Sequence, residues 1–349
     1  MDSITQAVLG AGISGAIMGK VHGRKAILYG ALLGTLPDLD ILHTYPDPVS
    51  TMTFHRGYSH SVFVLTAFAG VLTAGVRRFF PSTEYSALRL FLALWLTLVT
   101  HPILDSFTSY GTQLFWPLAL EPESWSSIFI IDPIYTLPML FAVIIALIVG
   151  LGPRTIKALG ATVLFGAAYL AFSVAGKFMA ESRVHDALNA QGVTIASTFS
   201  TPMPLNTLLW RVVVKTPDGQ YYDAVSGMFD SAPPEMLVQS LNLPLRKTLA
   251  DSDLHARLQW FTGDWLRYDV IDNDLVVTDL RMGLPGFHTF RFVMAHRDNE
   301  ASPWQAVLPS SWPRDRGGMD ELKVIFARIV SQSPPLPLAE WAKNDTAPK

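Results

Sequence analysis

The chain has 349 residues, of which half are hydrophobic and only 16% are charged, and its mean hydropathy is +0.29. This composition is too apolar for an ordinary soluble protein and indicates a membrane-embedded part. A formal net charge of −3 without a basic run argues against a nucleic-acid partner, and the absence of cysteine excludes disulfides, thiolate metal sites and a cysteine nucleophile.

The charged residues are unevenly distributed along the chain. Only 19 of the 55 Asp, Glu, Lys and Arg residues lie in residues 1–177, and the other 36 lie in residues 178–349. We therefore predict a polytopic α-helical membrane domain of five or six segments over residues 1–177. A soluble α+β domain over residues 178–331 and a flexible proline-containing tail over residues 332–349 follow it.

Six apolar segments are candidate membrane spans, at residues 4–19, 26–36, 61–76, 88–104, 133–151 and 158–176. A full crossing takes about 20 apolar residues, so the last two are the strongest candidates. The first two are short and glycine-rich, and they could form a closely packed hairpin that crosses incompletely. The opening residues lack the positive charge of a cleavable signal peptide, so we expect the first segment to be retained.

The basic residues predict an orientation in the membrane. Eight of the ten basic residues before Arg183 lie on alternate connections between the segments, and eight of the nine acidic residues lie on the opposite connections. Because cytoplasmic loops retain positive charge, we predict a multi-pass protein of the bacterial inner membrane whose C-terminal domain is extracytoplasmic. Every candidate metal ligand then lies on the outer side.

Two pairs of candidate ligands flank apolar segments. His101 and Asp105 are four residues apart, which places them on one helix face where they can bind one metal ion. A helix-end pair without metal is the alternative. Asp38 and Asp40 follow Pro37, and in extended backbone their side chains point opposite ways, so that one can ligate while the other holds a histidine. A capped turn is the alternative there.

A third segment contains two histidines around an arginine. His55 and His60 flank Arg56-Gly57-Tyr58-Ser59, a spacing that suits a loop entering a helix N-terminus. Arg56 can bind a phosphate or carboxylate through its planar fork, although it could instead anchor to lipid headgroups. We predict Arg56 and Asp40 as catalytic residues, with Asp40 as the general base. The predicted metal ligands are Asp38, His55, His60, His101 and Asp105.

Imidazole and carboxylate ligands together suit a divalent metal, Zn²⁺ first, with Mn²⁺ or Fe²⁺ as alternatives. The candidates outnumber the ligands of one catalytic zinc, so we expect either one ion with supporting residues or two ions. Such an ion lowers the pKa of bound water towards neutrality. The roles of two further residues stay open. His43 could be a reserve ligand, and Asp132 could be either an acid that lines the cavity or the N-cap of the fifth segment.

At these residues the chain resembles the YdjM-like family of bacterial inner-membrane proteins, which are described as metal-dependent hydrolases. The resemblance rests on the opening Met-Asp-Ser-Ile-Thr-Gln and on residues 34–40, 55–61, 101–105 and 110–111, and it covers residues 1–177. It implies an inner-membrane hydrolase with a metal cofactor. Many members carry a histidine where this chain has Gln6, so a ligand role at that position is absent here.

The half after Lys177 has short alternating runs that are typical of strands. Residues 210–215 and 221–225 predict a hairpin, residues 275–280 and 289–295 predict a second strand pair, and residues 254–261 and 320–329 predict helices. Substrate recognition, a lid over the membrane site and partner binding are the open roles for this half.

The sequence therefore predicts a membrane-bound metal-dependent hydrolase that directs an activated water at a lipid-linked or envelope substrate. Arg56 favours a phosphoester over an amide as the bond cleaved. One alternative is a non-enzymatic metal-binding membrane protein, either a sensor or a transport component, and another is a scaffold that displays the soluble half. The expected partners are membrane lipids and the unidentified substrate.

Overall fold

The computed structural model describes residues 1–313 and 317–347, and the chain divides into two compact units. The N-terminal unit comprises Met1–His43 and His55–Ser173, and the C-terminal unit comprises Thr44–Phe54 and Val174–Lys349. The division near Ser173 lies close to the boundary predicted at residue 177. Assignment of Thr44–Phe54 to the C-terminal unit was not expected from the sequence.

Helices form the N-terminal half of the chain. In order they are α1 (Ser3–His22), α2 (Arg24–Thr35), α3 (Pro48–Phe54), α4 (Val62–Phe79), α5 (Ala87–Ser106), α6 (Pro133–Val149) and α7 (Pro153–Ala190). Two 3₁₀ helices, Leu36–Leu42 and Tyr58–His60, lie between them. Each of the six predicted apolar segments is helical over most of its length, and oxygen-bearing side chains cap the starts of α1, α4, α5 and α6.

Within the described residues, four helices are long and apolar enough to cross a membrane, namely α1, α4, α5 and α7. α6 is a shorter apolar helix of 17 residues, and α2 has 12 residues. Only 11% of the apolar window of α4 is buried within the protein, whereas 67% of that of α1 is buried. The predicted apolar helical region is therefore confirmed, with α1 at its interior and α4 at its surface.

The core of the N-terminal unit forms around α1. This helix packs against α2, α5 and α6, and Ile13, Leu104, Tyr135, Met139 and Leu159 are among the buried side chains that meet there. The packing brings the C-terminal end of α5 next to the end of α2. Candidate ligands occur at both of these places.

Two antiparallel sheets form most of the C-terminal unit. The first has the order β1 (Ser197–Pro202), β2 (Leu209–Lys215), β3 (Gln220–Gly227) and β4 (Glu235–Ser240). The second has the order β5 (Leu266–Ile271), β6 (Asp274–Asp279), β7 (Arg291–His296) and β8 (Gln305–Ser311). Both are meanders, in which each strand pairs with the next along the chain.

The predicted elements of this half are present. The hairpin corresponds to β2 and β3, the second pair corresponds to β6 and β7, and the helices correspond to α8 (Asp253–Thr262) and α9 (Met319–Val330). The last part of α7 lies on the first sheet, where Ala180, Val184 and Leu188 share a core with Trp210 and Val212. Their spacing of four residues is that of one helix face.

The C-terminal tail differs from the flexible segment predicted for residues 332–349. Residues 338–341 form α10 (Leu338–Trp341), and a 3₁₀ turn follows at Ala342–Asp345. Leu336, Leu338 and Trp341 are buried in a core with Ile325 and Ile329. Removing these apolar side chains from water stabilises the folded tail. Residues 348–349 lie outside the described residues.

Candidate metal centre

Three backbone segments position the candidate ligands. Pro37 opens the 3₁₀ helix Leu36–Leu42 directly after α2, and this short helix carries Asp38. His60 closes the 3₁₀ helix Tyr58–His60, after which Ser61 caps α4 by accepting two backbone N–H groups. The last turns of α5 supply His101 and Asp105 from one helix face.

Four side chains converge at one point of the N-terminal unit. One ligand atom from each of Asp38, His60, His101 and Asp105 lies within 4.8 Å of the others. The two histidine Nε2 atoms are 3.2 Å apart. Asp38 Oδ1 lies 3.5 Å from His60 Nε2 and 3.3 Å from His101 Nε2, and the matching distances from Asp105 Oδ2 are 3.2 and 3.4 Å.

The contacts of the other ring nitrogens show which way the imidazoles present their lone pairs. His101 Nδ1 lies 2.5 Å from the Gly34 carbonyl, which can only accept, so this nitrogen donates. His60 Nδ1 lies 2.9 Å from Ser59 Oγ, whose own proton goes to Asp40 Oδ2 at 2.8 Å. In both neutral rings Nε2 is then an unprotonated acceptor that faces the centre of the cluster.

This arrangement fits a bound cation. Four ligand atoms at about 2.0–2.1 Å from a tetrahedral zinc are about 3.3–3.4 Å apart, and the five distances above run from 3.2 to 3.5 Å. Among the described residues, buried Asp105 Oδ2 has no aligned hydrogen-bond donor. Four inward-facing acceptors repel one another unless a positive charge lies between them. The cluster could therefore bind a metal ion.

Asp105 is supported on the side away from the cluster. Its Oδ1 accepts hydrogen bonds from Gln6 Nε2 at 3.0 Å and from the amino group of Met1. Gln6 Nε2 also lies 3.2 Å from the His101 carbonyl oxygen. Gln6 thus holds the turn of α5 that carries both candidate ligands, and this role was not identified from the sequence.

Asp40 lies beside the cluster and orders the loop that carries His60. Its Oδ1 is 2.8 Å from His55 Nδ1, and its Oδ2 accepts from the Arg56 backbone N–H at 2.9 Å and from Ser59 Oγ. Burial by itself raises the pKa of the Asp40 carboxyl, but the contacts with His55, His60 and Ser59 together outweigh it, so the pKa lies below its ordinary value. Asp40 is therefore an anion at neutral pH.

Asp38 is also held in its charged form. Burial raises the pKa of its carboxyl, but contact with His101 and His60, when these rings carry a proton, outweighs burial and leaves the pKa well below its ordinary value. A positive charge at the centre of the cluster stabilises the Asp38 carboxylate, whether that charge is a proton on an imidazole or a bound cation.

Arg56 is a buried cation in the same site. Its Nε lies 3.2 Å from Asp105 Oδ2, one terminal nitrogen donates to Thr108 Oγ1 at 3.2 Å, and its guanidinium lies 4.9 Å from the Tyr110 ring centre. The backbone has φ of 60°, in the left-handed region that costs a non-glycine residue on the order of 1–2 kcal/mol. The N–H bond to Asp40 and the buried guanidinium contacts hold this conformation.

Comparison with known proteins agrees with the sequence motifs. The family model described as YdjM inner membrane protein matches residues 1–180. The chain belongs to the YdjM inner membrane protein family. Among curated proteins, the uncharacterized protein YfhP of Bacillus subtilis (strain 168) is 28% identical over 152 residues, which are 42% of this chain. The chain spans 46% of the length of that relative. No solved structure matches.

In this YdjM family member, four of the five predicted ligands lie together. The exception is His55, which lies outside the four-residue cluster with its Nδ1 on Asp40 and its ring against those of His60 and Tyr110. The predicted catalytic residues Asp40 and Arg56 both border the cluster. Asp132 serves as the N-cap of α6, the second of its two predicted alternatives.

The contacts of Ser59 with Asp40 and His60 were also not predicted from the sequence. Ser59 joins Asp40 to His60 through one hydroxyl. The sequence contains a signal for it, because a serine immediately before a ligating histidine is placed to reach that ring. The contact between the Gly34 carbonyl and His101 could not be predicted from residue type, because every residue has a backbone carbonyl.

Proposed function

We propose that the protein is a membrane-bound metal-dependent hydrolase that cleaves a phosphoester of a lipid-linked or envelope substrate. The observation that carries this proposal is the convergence of His60 Nε2 and His101 Nε2 with two carboxylate oxygens, all four as acceptors. Membership of an inner-membrane family and the apolar helices support the membrane location. Zinc is the preferred cofactor, and manganese or iron are alternatives.

Each residue of the site has an assigned part in this proposal. Asp38, His60, His101 and Asp105 would hold the metal, whose bound form supplies Lewis-acid polarisation and acidifies water near neutral pH. Arg56 would stabilise negative charge on a phosphoryl oxygen through its guanidinium. Asp40 remains the candidate proton acceptor, and His55, which lies on Asp40 Oδ1 and is partly exposed, is placed to relay that proton.

The ligand count bears on the choice between catalysis and metal binding alone. Catalytic zinc sites commonly have three protein ligands and one open position, whereas four protein ligands are typical of structural sites. Arg56 already neutralises Asp105, with 3.2 Å between Arg56 Nε and Asp105 Oδ2. We therefore assign Asp38, His60 and His101 as the principal ligands and Asp105 as the weaker one. Four full ligands would instead favour the sensor or transport alternative.

The proposed orientation places the site on the outer face of the membrane. α4 begins beside His60 and ends with Arg77 and Arg78, and α5 begins near Arg89 and ends beside the two α5 ligands. An 18-residue helix is about 27 Å long, close to the thickness of a hydrocarbon core. The basic ends of both helices are thus separated from the site by about one membrane thickness, which supports a cytoplasmic location for the arginines.

Metal content and turnover of the purified full-length protein test the proposal. We expect wild-type protein to contain a divalent metal, and the double variant His60→Ala/His101→Ala to lose it. The matched control His185→Ala/His296→Ala removes two histidines of the C-terminal unit and should leave the metal content unchanged. Metal content that does not depend on His60 and His101 would contradict the site and favour the scaffold alternative.

Hydrolysis assays then separate the enzyme from the metal-binding alternative. The probes are bis(p-nitrophenyl) phosphate and phosphatidylglycerol vesicles, each assayed with metal-loaded protein. Turnover that disappears in the His60→Ala/His101→Ala variant would support hydrolysis at this site. Stable metal binding with no turnover of either probe, together with ion movement in reconstituted vesicles, would contradict the hydrolase and support a transport role.

A further inference from the structure

Apolar side chains are exposed beside the metal cluster, in segments that are not membrane helices. The 3₁₀ helix Leu36–Leu42, which carries Asp38, exposes Leu39, Ile41 and Leu42. The exposed fractions of these three side chains are 54%, 65% and 75%. One short helix therefore presents a carboxylate to the cluster and apolar side chains to the surroundings.

A second group of exposed apolar side chains surrounds the segment of His60. Tyr58 and Trp116 are exposed with their rings in contact at 6.3 Å, and Leu118 follows on the same loop. This loop is attached to the His60 segment, because Ser61 Oγ donates to the Trp116 carbonyl at 2.6 Å. The 3₁₀ helix Leu36–Leu42 packs against the 3₁₀ helix Tyr58–His60. We call the six side chains the apolar rim: Leu39, Ile41, Leu42, Tyr58, Trp116 and Leu118.

The chemistry of the rim fits a lipid surface. Tyrosine and tryptophan are enriched at the boundary between membrane and water, where the ring is apolar and the polar atom is hydrated. The rim is continuous along the chain with the exposed apolar side of α4, since Phe63 in its first turn is 51% exposed and Val71 is 68% exposed. Water-exposed surfaces rarely keep so many large apolar side chains together.

We propose that the apolar rim inserts into the lipid–water boundary of the membrane and holds the metal cluster at headgroup depth. The substrate class that follows is an amphiphile, whose acyl or isoprenoid chain stays among the lipids while its headgroup bond reaches the cluster past the rim. The substrate class in this inference rests on the proposed function. The depth of the cluster in the membrane rests on the apolar rim alone. It assigns the 3₁₀ helix Leu36–Leu42 as the lipid-facing wall of the site.

Nitroxide accessibility measures the depth of the rim without any assay of activity. Because the chain has no cysteine, single cysteines at Ile41 and Leu118 can be spin-labelled in full-length protein reconstituted in phosphatidylglycerol/phosphatidylethanolamine vesicles. Val71→Cys on α4 is the lipid-facing control, and Ser240→Cys at the exposed end of β4 is the aqueous control. Substitution of exposed side chains has little effect on folding.

The two rim labels decide the proposal. We expect both rim labels to collide more often with oxygen than with a water-soluble nickel chelate, as the label at Val71 should. The label at Ser240 should collide more often with the nickel chelate. Nickel accessibility equal to that of Ser240 would overturn the insertion. Low accessibility to both reagents would also overturn it, because a protein partner rather than lipid would then cover the rim.

Turnover provides a second readout that is separable from the first. The double variant Ile41→Ser/Leu118→Ser should lose about tenfold in hydrolysis of vesicle phospholipid, since two apolar anchors are removed, while hydrolysis of bis(p-nitrophenyl) phosphate and metal content are unchanged. Phe79→Ser/Phe80→Ser at the other end of α4 is the matched control and should change neither hydrolysis rate.

Equal loss on both probes would overturn the amphiphile assignment. No wild-type turnover would contradict the proposed function, while the nitroxide result would still decide the rim.

Discussion

At the scale of single residues, the site depends on side chains that do not contact the cluster centre. Ser59 accepts from His60 Nδ1 and donates to Asp40 Oδ2, so one hydroxyl fixes both the tautomer and the orientation of a candidate ligand. The neighbours of ligating histidines commonly tune metal affinity in this way. Asp40 therefore acts on His60 through Ser59 and on His55 directly.

Ser59→Ala tests this chain of contacts. We expect metal affinity to fall by about 10–100-fold, because the His60 ring loses the acceptor that holds its Nδ1 proton outward. The measurement is titration calorimetry of the metal-free full-length protein with Zn²⁺ and Mn²⁺. Ser82→Ala, in the connection between α4 and α5, is the control and should bind as wild type does. Unchanged affinity in Ser59→Ala would exclude the proposed support of His60.

Residue type and spacing predicted part of the site for identifiable physical reasons. His101 and Asp105 are one helical turn apart, so their convergence follows from helix geometry alone. His55 and His60 are equivalent in the sequence, because both border the same loop. In the structure a left-handed turn at Arg56 lies between them, and His60 faces the cluster while His55 contacts Asp40. That turn depends on contacts with distant residues, which single-sequence patterns do not contain.

At the scale of elements, the position of the 3₁₀ helix Leu36–Leu42 depends on how closely α1 and α2 pack. A Cβ atom added at Gly30 would lie 2.2 Å from the Gly10 carbonyl oxygen, so the two backbones are in direct contact there. α2 then continues to Gly34, whose carbonyl orients His101. Glycine in these helices is thus a condition for the geometry of the site.

Gly30→Ala is expected to push α1 and α2 apart. Overpacking of this kind typically costs about 1–3 kcal/mol, and the displaced Gly34 carbonyl should weaken metal binding as well. Thermal unfolding and zinc titration of the purified protein measure the two effects. Gly70→Ala in α4 is the matched control, because beyond its own stretch of helix no atom of the described residues lies within 4 Å of its added Cβ. If Gly30→Ala were as stable as Gly70→Ala, the close approach of the two helices would be refuted.

The short helix α3 belongs to the C-terminal unit through contacts with α8. Arg257 Nε donates to Thr53 Oγ1 at 2.6 Å, a second nitrogen donates to the Thr53 carbonyl at 3.0 Å, and the guanidinium stacks 3.6 Å from the Phe54 ring centre. Val49 and Met52 are buried. The seven residues of α3 are too few to show a helical period, so neither the helix nor its partner could be predicted from the sequence.

Arg257→Ala should release α3 from α8. Two hydrogen bonds and a cation–π contact are lost together, so we expect the free energy of unfolding of the C-terminal unit to fall by about 1–3 kcal/mol. Hydrogen exchange at residues 48–54 should increase more than exchange in β2 and β3. Arg246→Ala, which removes an exposed ion pair with Asp264 from the same unit, is the control. Equal exchange at α3 in the two variants would show that Arg257 does not hold this helix.

At the scale of the whole molecule, the two units differ in how they accommodate charge. The sequence predicted this division because charged residues are sparse before residue 178 and common after it. It did not predict that many of the later charges are buried together. Arg211 pairs with Asp223, Arg267 pairs with Asp345, and His288 Nδ1 lies 3.0 Å from Asp345 Oδ1. Alternating patterns identify strands but do not reveal which polar side chains pair inside them.

This buried network makes the stability of the C-terminal unit depend on pH. His288 Nε2 accepts from Arg211 at 3.3 Å while its Nδ1 faces Asp345, so the ring is neutral. Burial lowers the pKa of His288, and the charges of Arg211 and Arg267 lower it further, although Asp345 acts in the opposite direction. Burial also lowers the pKa of His255. Both histidines thus bind a proton more readily in the unfolded chain than in the folded one.

Stability should therefore be complete above the ordinary histidine pKa of about 6.5 and fall as the pH drops below it. The loss is up to about 1.4 kcal/mol per pH unit for each such histidine, until the pH reaches its folded-state pKa. Hydrogen exchange in β2, β3 and β7 of the full-length protein, compared at pH 7.5 and 5.5 after correction for intrinsic rates, measures the effect.

His288→Gln should weaken the unit at pH 7.5 and reduce its pH dependence. His296→Gln, at a half-exposed histidine paired with Asp274, should leave the dependence as in wild type. If His288→Gln kept the wild-type slope, the histidine would not be the group that binds the proton on unfolding.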